Sequence, residues 1–369
     1  MAELSRRMRA LVQPHLASIE PYDPAFAPCR INLSANENTY PVPEPVRATI
    51  DAALAATPLN RYPDPMANAL RDELAAWHGL ARENVCVGNG GDELLFNFLF
   101  AFTGRGRTLV TCPPDFSEYA FFASLVEAGA VAVPRDPETF AVDGDALVAA
   151  AATADAVIIT SPNNPTGNLV PLPLIERVCS ACPGLVMVDE AYGEFAPAGS
   201  SAVPLIARHD NLLVLRTLSK AFGAAGIRLG YVLAAPDVID VLAAVRQIYS
   251  VNVLTQAAAT AAVRLRDAYR PVVDQIVAER ARMTERMAAL APAGVTVWPS
   301  AANFLLVRVP AAAEVRRRLR DEYDILVRDF SATPGLAGCL RLTVGTPEEN
   351  DALAAALTRL VTTEAKELS

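Results

Sequence analysis

The stretch Arg216-Thr-Leu-Ser-Lys-Ala-Phe222 follows a short apolar run, Leu212-Leu-Val-Leu215, and contains one of only two lysines in the chain. The other lysine, Lys366, lies in the polar C-terminal tail, and arginine supplies the rest of the basic residues. A guanidinium stays protonated, whereas a lysine amine can lose its proton and condense with an aldehyde. We therefore interpret Lys220 as a chemical group that arginine cannot replace.

The composition is that of a large globular protein. Its 369 residues, of which 52% are hydrophobic, can bury more than one core and predict two or three domains. No apolar run approaches the roughly 20 residues of a membrane-spanning helix. The start, Ser5-Arg-Arg-Met-Arg-Ala10, faintly resembles a twin-arginine signal, but the apolar stretch that should come next is missing between Gln13 and Glu20. We therefore expect a cytoplasmic protein without a membrane partner.

Charge and metal-binding residue types narrow the possible partners. The net charge of −9 argues against a polyanion, and no basic block predicts a nucleic-acid surface. The negative net charge does not exclude small anionic substrates, because a few arginines within a binding site are sufficient to bind them. Cys179 and Cys182 form the one Cys-x-x-Cys pair, and the three histidines lie far apart in sequence. We predict neither a metal site nor histidine catalysis from this pattern.

Short apolar runs alternate with segments of helical spacing through most of the chain. This alternation is typical of an α/β domain with a mostly parallel central sheet. After Pro236 the helical patterns become longer, which predicts a smaller α+β domain that follows a long helix. The stretch from Pro21 to Pro45 is rich in proline and predicts an irregular arm. The predicted strands are 85–87, 109–111, 131–133, 156–160, 185–188, 212–215 and 231–233, then 295–298, 303–309 and 339–344.

A glycine-rich turn, Val87-Gly-Asn-Gly-Gly-Asp-Glu93, leads from a predicted strand into an apolar helical run. Glycines in such a turn let backbone N–H groups point outward, and a helix start adds free donors, so the segment could hold a phosphate. It lacks the Lys-Ser/Thr ending of a nucleotide P-loop and the spacing of the dinucleotide fingerprint. Taken alone, it is equally compatible with an ordinary tight turn.

Two later strand ends carry more specific polar groups. Thr160-Ser-Pro-Asn-Asn-Pro-Thr-Gly167 places paired amides at the end of an apolar strand, where two prolines restrict the backbone. One strand further on, Asp189 ends the buried run of Val186-Met-Val-Asp-Glu-Ala-Tyr192. An isolated buried carboxylate is costly, so a cationic partner is expected. Tyr192 follows Asp189 by three residues and is close enough to share its site.

In this order the glycine-rich turn, Ser-Pro-Asn-Asn-Pro-Thr-Gly, Asp-Glu-Ala-Tyr and Thr-Leu-Ser-Lys resemble the fold type I aminotransferases that depend on pyridoxal phosphate. The resemblance runs from about Asn32 to Asn350. It implies a large domain with a mostly parallel seven-stranded sheet between helices, and a smaller α+β domain. It also divides the chain into an N-terminal arm (1–45) that contributes to the small domain and substrate site, a large cofactor-binding domain (46–250) and a small domain (251–369).

Within that superfamily, four segments are most similar to the histidinol-phosphate aminotransferases. That family moves an amine between L-glutamate and imidazole-acetol phosphate in histidine biosynthesis. Phe116 stands where these enzymes usually have a tyrosine, and together with Tyr249-Ser-Val-Asn-Val253 it also resembles the threonine-phosphate decarboxylases. An aromatic, phenylalanine-type aminotransferase of the same group is a further alternative. The four segments are Asn32–Asn38, Arg61–Asp64, Leu215–Phe222 and Leu340–Thr346.

The resemblance assigns the cofactor site residue by residue. Lys220 would hold pyridoxal phosphate covalently and move a proton during the reaction, and Asp189 would pair with the ring nitrogen. Asn164 and Tyr192 would bind the ring's phenolic oxygen, and Phe116 would stack on the ring. The phosphate would be held by Gly91, Asp92, Ser219 and Arg228.

The resemblance also implies a homodimer and an anionic substrate. Tyr62, in Arg61-Tyr-Pro-Asp64, would reach the cofactor phosphate of the partner subunit. Arg341 and Arg328 would bind the phosphate or carboxylate of the substrate, since bidentate geometry suits both anions. Tyr22 and Asn36 match substrate-side positions in the arm.

Overall fold

The computed structural model describes residues 5–17 and 27–367 and contains two β-sheets with helices packed against them. The strands are β1 (Ile31–Leu33), β2 (Val85–Gly88), β3 (Thr108–Thr111), β4 (Gly129–Ala132), β5 (Ala156–Thr160), β6 (Leu185–Asp189), β7 (Leu212–Thr217), β8 (Gly230–Leu233), β9 (Thr296–Val297), β10 (Phe304–Arg308), β11 (Ile325–Asp329) and β12 (Cys339–Thr343). The helices are α1 (Arg6–Leu11), α2 (Glu44–Ala55), α3 (Asn68–His78), α4 (Gly91–Phe102), α5 (Glu118–Leu125), α6 (Gly144–Ala151), α7 (Leu172–Ala181), α8 (Pro236–Val245), α9 (Val253–Arg264), α10 (Arg270–Ala288), α11 (Ala312–Tyr323) and α12 (Pro347–Glu367).

The larger sheet has seven strands in the order β2-β8-β7-β6-β5-β3-β4. All neighbouring strands are parallel except β8, which runs antiparallel to both β2 and β7. The mixed α/β fold with a mostly parallel seven-stranded sheet is therefore confirmed. Because β5, β6 and β7 are parallel neighbours, their carboxyl ends meet at one edge, where Thr160 lies beside Asp189 in register.

Both faces of this sheet are buried except at its edge strand β4, whose residues are exposed, and this burial explains why the inner strands are continuous apolar runs. Along β5, Val157 and Ile159 point into one core and Ile158 into the other, because successive side chains alternate between faces. Helices α3, α6, α7 and α9 cover the first face, and α4, α5 and α8 cover the second. Each fully buried Val, Leu or Ile stabilises the fold by roughly 1.5–3 kcal/mol relative to exposure.

The smaller sheet has five strands in the order β1-β11-β12-β10-β9. Its pairs are antiparallel except that of β1 with β11, which is parallel. The prediction of an irregular arm is wrong at Ile31–Leu33, since these residues form β1. That strand is three residues long and pairs with a segment almost 300 positions away, so no local pattern indicates it. Residues 18–26 of the arm lie outside the described residues.

In the sequence, helices α9 and α10 come after β8, the last strand of the larger sheet, and before β9 of the smaller sheet. Ala259 and Ala262 of α9 pack into the core of the larger sheet, and α9 contacts α2 and α3. Val273 near the start of α10 belongs to the same core, whereas Met283 and Met287 near its end belong to the core of the smaller sheet. The domain boundaries near residues 45 and 250 stay predictions. Within the described residues, no helix combines the length and apolar character needed to cross a membrane.

Candidate active site

A cavity of about 460 Å³ lies at the carboxyl edge of the large sheet and is bordered by β11 and β12 of the small sheet. This is the edge at which ligands bind in open α/β sheets. The cavity brings together twelve of the fourteen residues that the sequence singled out, although they are scattered over more than 300 positions. These twelve are Asn36, Gly91, Asp92, Phe116, Asn164, Asp189, Tyr192, Ser219, Lys220, Arg228, Arg328 and Arg341.

Asp189, the last residue of β6, is a buried carboxylate at the floor of the cavity. Its oxygens accept hydrogen bonds from the Tyr119 hydroxyl at 2.7 Å and from the Ala191 backbone N–H at 2.9 Å. Burial raises the pKa of Asp189 from 3.8 to about 6, and among the described residues it takes part in no ion pair that would offset this cost. A cationic N–H group, such as a protonated ring nitrogen, is the partner that this site fits.

Lys220 reaches into the cavity from the loop that follows β7. Its Nζ donates a hydrogen bond to the Ala35 carbonyl at 3.0 Å and lies 5.9 Å from the centre of the Tyr192 ring. Burial, reinforced by the positive charge of Arg341, lowers the pKa of Lys220 from 10.5 to about 8. The amine can therefore lose its proton near neutral pH, which a nucleophilic or proton-moving lysine requires.

Asn164 and Tyr192 lie in a hydrogen-bonded wall of the cavity. Arg341 Nη1 donates to Asn164 Oδ1 at 2.6 Å, and Arg341 Nη2 donates to the Ser34 carbonyl at 2.6 Å. Asn36 Nδ2 donates to the Tyr192 hydroxyl at 2.9 Å. Residues from β12, from the loop after β5 and from the segment after β1 therefore hold one another in place, and the amide and hydroxyl are preorganised for a ligand oxygen.

A second corner of the cavity has the groups expected of a phosphate site. Helix α4 begins at Gly91 and Asp92, so free backbone N–H groups and the positive end of the helix dipole lie here. Arg228 Nη2 lies 3.5 Å from Asp92 Oδ2, and an added Cβ on Gly90 would lie only 2.5 Å from the same Nη2. The glycine at position 90, with φ of 90°, thus lets the guanidinium approach the helix start. Ser219 adds a buried hydroxyl to the cavity.

Arg328 and Arg341 face each other across neighbouring strands of the small sheet. They are register partners in the antiparallel pair of β11 and β12, and both line the cavity. Like charges directly opposite one another repel, so this arrangement favours an anion between them. The Arg341 guanidinium also lies over the rings of Phe304 and Phe330, whose centres are 5.5 and 5.4 Å away.

Sequence reasoning missed several residues of the cavity. Tyr119 is one of the missed residues, and it contacts Asp189 directly. Its ring lies edge-on to that of the predicted residue Phe116, with ring centres 5.7 Å apart. Tyr119 follows Phe116 by three residues, and this spacing could have singled it out. Phe330 and Thr333 come from the loop after β11, which the sequence pattern did not place near the site.

Two predicted site residues are not part of this cavity. Tyr22 lies outside the described residues. Tyr62 is on the surface with 81% of its area exposed, and its ring stacks on that of Tyr249 with centres 4.6 Å apart. Its predicted contact involves a second subunit, so its position within one chain does not test that prediction.

The fold and the site together define a class of protein. A lysine, a buried aspartate and a helix start beside an arginine, all at the carboxyl edge of a mostly parallel sheet, match the fold type I enzymes that bind pyridoxal phosphate. The donor set suits that cofactor, which carries a phosphate, a phenolic oxygen, a protonatable ring nitrogen and an aldehyde. The chain belongs to the aminotransferase class I and II family, whose model matches residues 30–357.

Individual relatives agree with this assignment. Histidinol-phosphate aminotransferase from Thermococcus gammatolerans is 41% identical over 342 residues, which cover 93% of this chain and 95% of that protein. The crystal structure of histidinol-phosphate aminotransferase from Sinorhizobium meliloti in complex with pyridoxal-5′-phosphate is similar with a TM-score of 0.86, 27% identity and coverage of 98% and 99% of the two chains. L-threonine-O-3-phosphate decarboxylase from Porphyromonas gingivalis follows at a TM-score of 0.77, 26% identity and coverage of 90% and 99%.

The predicted resemblance and the prediction of a transaminase are confirmed by this family membership. The roles of the individual site residues stay predictions, which the geometry of the cavity supports.

Proposed function

We propose that this chain moves an amine between L-glutamate and imidazole-acetol phosphate, giving 2-oxoglutarate and L-histidinol phosphate in histidine biosynthesis. Its cofactor is pyridoxal phosphate. The observation that carries the choice of substrate is the facing pair of Arg328 and Arg341 in the same cavity as Lys220. The same cavity must bind the phosphate of L-histidinol phosphate and the side-chain carboxylate of L-glutamate. A pair of arginines can bind both of these anions. The similarity to histidinol-phosphate aminotransferases from Thermococcus gammatolerans and Sinorhizobium meliloti supports the same reaction.

The chain's own residues divide the work of this reaction. When bound, pyridoxal phosphate supplies an aldehyde and a ring that stabilises negative charge developing at the substrate carbon. Lys220 holds the cofactor and then takes and returns a proton at its Nζ, for which a pKa of about 8 is suited. Asp189 keeps a proton on the ring nitrogen. Asn164 and Tyr192 orient the ring through its phenolic oxygen.

The remaining residues bind and orient the anionic groups. Gly91 and Asp92 at the start of α4, with Ser219 and Arg228, hold the cofactor phosphate away from the reacting carbon. Arg341 positions the anionic end of the substrate while it also holds Asn164. This links the substrate site to the cofactor site through one hydrogen bond.

Half-reactions followed by the cofactor's absorbance test the proposal. We expect L-glutamate and L-histidinol phosphate each to convert the aldehyde form of the bound cofactor to the amine form, and 2-oxoglutarate to reverse this change. L-phenylalanine should react far more slowly. If glutamate leaves the spectrum unchanged, the chain is not the proposed aminotransferase. Faster conversion by phenylalanine than by histidinol phosphate would instead favour an aromatic aminotransferase.

A decarboxylase acting on O-phosphothreonine is the second candidate, because Phe116 lines the cavity and a structure of that kind is among the similar ones. This reaction releases CO₂ and leaves the cofactor in its aldehyde form after each turnover. We expect no CO₂ release from O-phosphothreonine. Release of CO₂ without formation of the amine form of the cofactor would favour the decarboxylase over the aminotransferase.

Replacing Arg341 by Gln should raise the KM for L-histidinol phosphate by about tenfold to a hundredfold, since a charge-assisted bidentate contact is lost. The KM for histidinol, which lacks the phosphate, should change much less. Arg308→Gln is the matched control, because Arg308 lies on the adjacent strand β10 with its guanidinium 5.1 Å from the Trp298 ring centre, outside the cavity. Equal changes for both substrates would show that Arg341 does not bind the phosphate.

We propose that the active form is a homodimer in which Tyr62 reaches the partner's cofactor site. Three large apolar side chains in this region, Leu59, Tyr62 and Ile248, are 74%, 81% and 71% exposed in the single chain. Tyr62 stacks on Tyr249, which follows Ile248 in the chain, and adjoining exposed apolar side chains of this kind mark a protein interface. The cytoplasmic location expected from the sequence stays a prediction.

Mixed dimers test the position of Tyr62. Tyr62→Ala should lower activity about tenfold through loss of a contact to a charged phosphate, and Lys220→Ala should remove it. Co-expression of the two variants with different tags should restore about a quarter of wild-type activity, because each mixed dimer then has one site with both residues. If Tyr62 acts within its own subunit, no mixed site is complete, and the mixture should show only about 5% of wild-type activity, which is the residual activity of the Tyr62→Ala sites.

A further inference from the structure

A buried hydroxyl that the proposed mechanism does not use lies next to Asp189. Tyr119, the second residue of α5, has no solvent exposure, and its hydroxyl lies 2.7 Å from Asp189 Oδ2. The same hydroxyl lies 2.9 Å from Oγ1 of Thr160, the last residue of β5. Three neighbouring elements thus supply a short row of polar side chains that ends at Asp189.

The direction of these hydrogen bonds follows from counting protons. An ionised carboxylate only accepts hydrogen bonds, so the single phenolic hydrogen of Tyr119 points at Asp189. Thr160 must then donate its own hydroxyl hydrogen to Tyr119. Burial, reinforced by the negative charge of Asp189, raises the pKa of Tyr119 well above its ordinary value. The phenol therefore stays protonated and remains a donor at physiological pH.

The Tyr119 hydrogen bond acts on the charged form of Asp189. It favours the carboxylate over the carboxylic acid, and the Ala191 backbone N–H acts in the same direction. Burial and the negative charges of neighbouring residues raise the pKa of Asp189, whereas the two hydrogen bonds lower it. Tyr119 is the residue whose side chain supplies one of these hydrogen bonds. The titratable and charged groups that surround Asp189 or line the same cavity come from several elements. The acids and phenols are Glu37 after β1, Asp92 on α4, Asp115 before α5, Tyr119 on α5, Glu190 and Tyr192 after β6, and Asp329 on β11, and the cations are Arg216, Lys220, Arg228, Arg328 and Arg341.

We propose that Tyr119 is a positioning residue whose hydroxyl holds Asp189 as an oriented carboxylate and so keeps a proton on the ring nitrogen of the bound cofactor. This inference rests on the proposed role of Asp189 and deepens it. A neutral aspartic acid beside a neutral ring is the competing state. Tyr119 favours the pair of opposite charges, because its hydrogen bond is stronger to a carboxylate than to a carboxylic acid.

The test compares how pH affects binding of pyridoxamine phosphate to the apoenzyme. This amine form cannot bond covalently to Lys220, so the titration of the lysine amine does not enter through bond formation. In wild type, the affinity should fall as pH falls through about 6, where Asp189 becomes protonated. In Tyr119→Phe that midpoint should move up by about one pH unit, so the affinity should fall about twofold at pH 7 and about fivefold at pH 6 relative to wild type. The cofactor's own phosphate titrates equally in both proteins.

Tyr231→Phe is the matched control. Tyr231 is also fully buried, and its hydroxyl lies 3.0 Å from His78 Nε2. It does not line the cavity, so loss of this hydroxyl should change thermal unfolding but leave the binding midpoint where it is in wild type. A purely structural role of Tyr119 would make the two tyrosine variants alike.

An unchanged midpoint in Tyr119→Phe overturns the proposal. If that variant does not fold, Thr160→Val replaces it, because loss of the Thr160 hydroxyl weakens Tyr119 as a donor. We then expect a smaller upward shift, and no shift again overturns the proposal. If wild type itself does not bind pyridoxamine phosphate, the cofactor assignment fails together with it. A shift in a protein that does not react with glutamate would reject the substrate proposal alone.

Discussion

Replacing Lys220 by Ala should lower the rate of transamination by about 10⁴-fold or more, because both the covalent attachment and the proton transfer depend on one amine. The visible absorbance of the attached cofactor should disappear in the same variant. Free cofactor should still bind, since the groups at the start of α4 and Asp189 remain. Single-turnover absorbance with L-glutamate measures the first effect, and equilibrium titration of the apoenzyme measures the second.

Lys220→Arg is the matched control for charge. The guanidinium can keep a hydrogen bond to the Ala35 carbonyl, which Lys220 Nζ contacts at 3.0 Å, but it cannot lose its proton at physiological pH. We expect this variant to be as inactive as the alanine variant. Recovery of a substantial part of the activity would show that Lys220 acts through its charge rather than through its free amine.

In wild type, only the neutral amine attacks the aldehyde. The rate of cofactor attachment to the apoenzyme should therefore rise with pH and level off above about 8, the pKa to which burial and Arg341 lower Lys220. A midpoint near the ordinary lysine value of 10.5 would contradict the environment described for this residue.

Lys220 also illustrates what the sequence alone could predict. Its rarity and its place after an apolar strand were visible locally, and so were Asp189 and the glycine-rich turn, because each follows a strand in a mostly parallel sheet. Strand ends of this kind converge at one edge, so local patterns were sufficient to place these groups together. The seven strands of the large sheet were likewise predicted from local patterns, because each corresponds to a short apolar run.

Contacts between distant segments were not predictable in this way. Strand β1 exists only through its pairing with β11, and Tyr119 joins the site only because α5 packs over the end of β6. The facing pair of Arg328 and Arg341 depends on the register of β11 with β12. In each case the partner is specified by tertiary packing rather than by the spacing of nearby residues.

Replacing Asp189 by Asn should lower turnover by about 10³-fold, because the side chain no longer holds a proton on the ring nitrogen. Cofactor affinity should fall as well, since an ion pair in a buried site is lost. The amide has nearly the same shape as the carboxylate. The Tyr119 hydroxyl can turn to accept from it and donate to Thr160 instead, 2.9 Å away. Wild-type turnover in this variant would refute the role of Asp189.

The same substitution should stabilise the apoenzyme. Because the pKa of Asp189 rises from 3.8 in the unfolded chain to about 6 in the folded one, its ionised form costs up to about 3 kcal/mol of stability. That cost is fully present well above pH 6, shrinks as pH falls through about 6, and disappears below 3.8, the pKa of the unfolded chain. We therefore expect Asp189→Asn to unfold at a higher temperature than wild type at pH 7.5, and by a margin only about a third as large at pH 4.5. Saturating pyridoxal phosphate should reduce or reverse the difference at pH 7.5, since ligand binding stabilises wild type more. If the variant is less stable than the wild-type apoenzyme at pH 7.5, the buried carboxylate of Asp189 does not destabilise the folded protein.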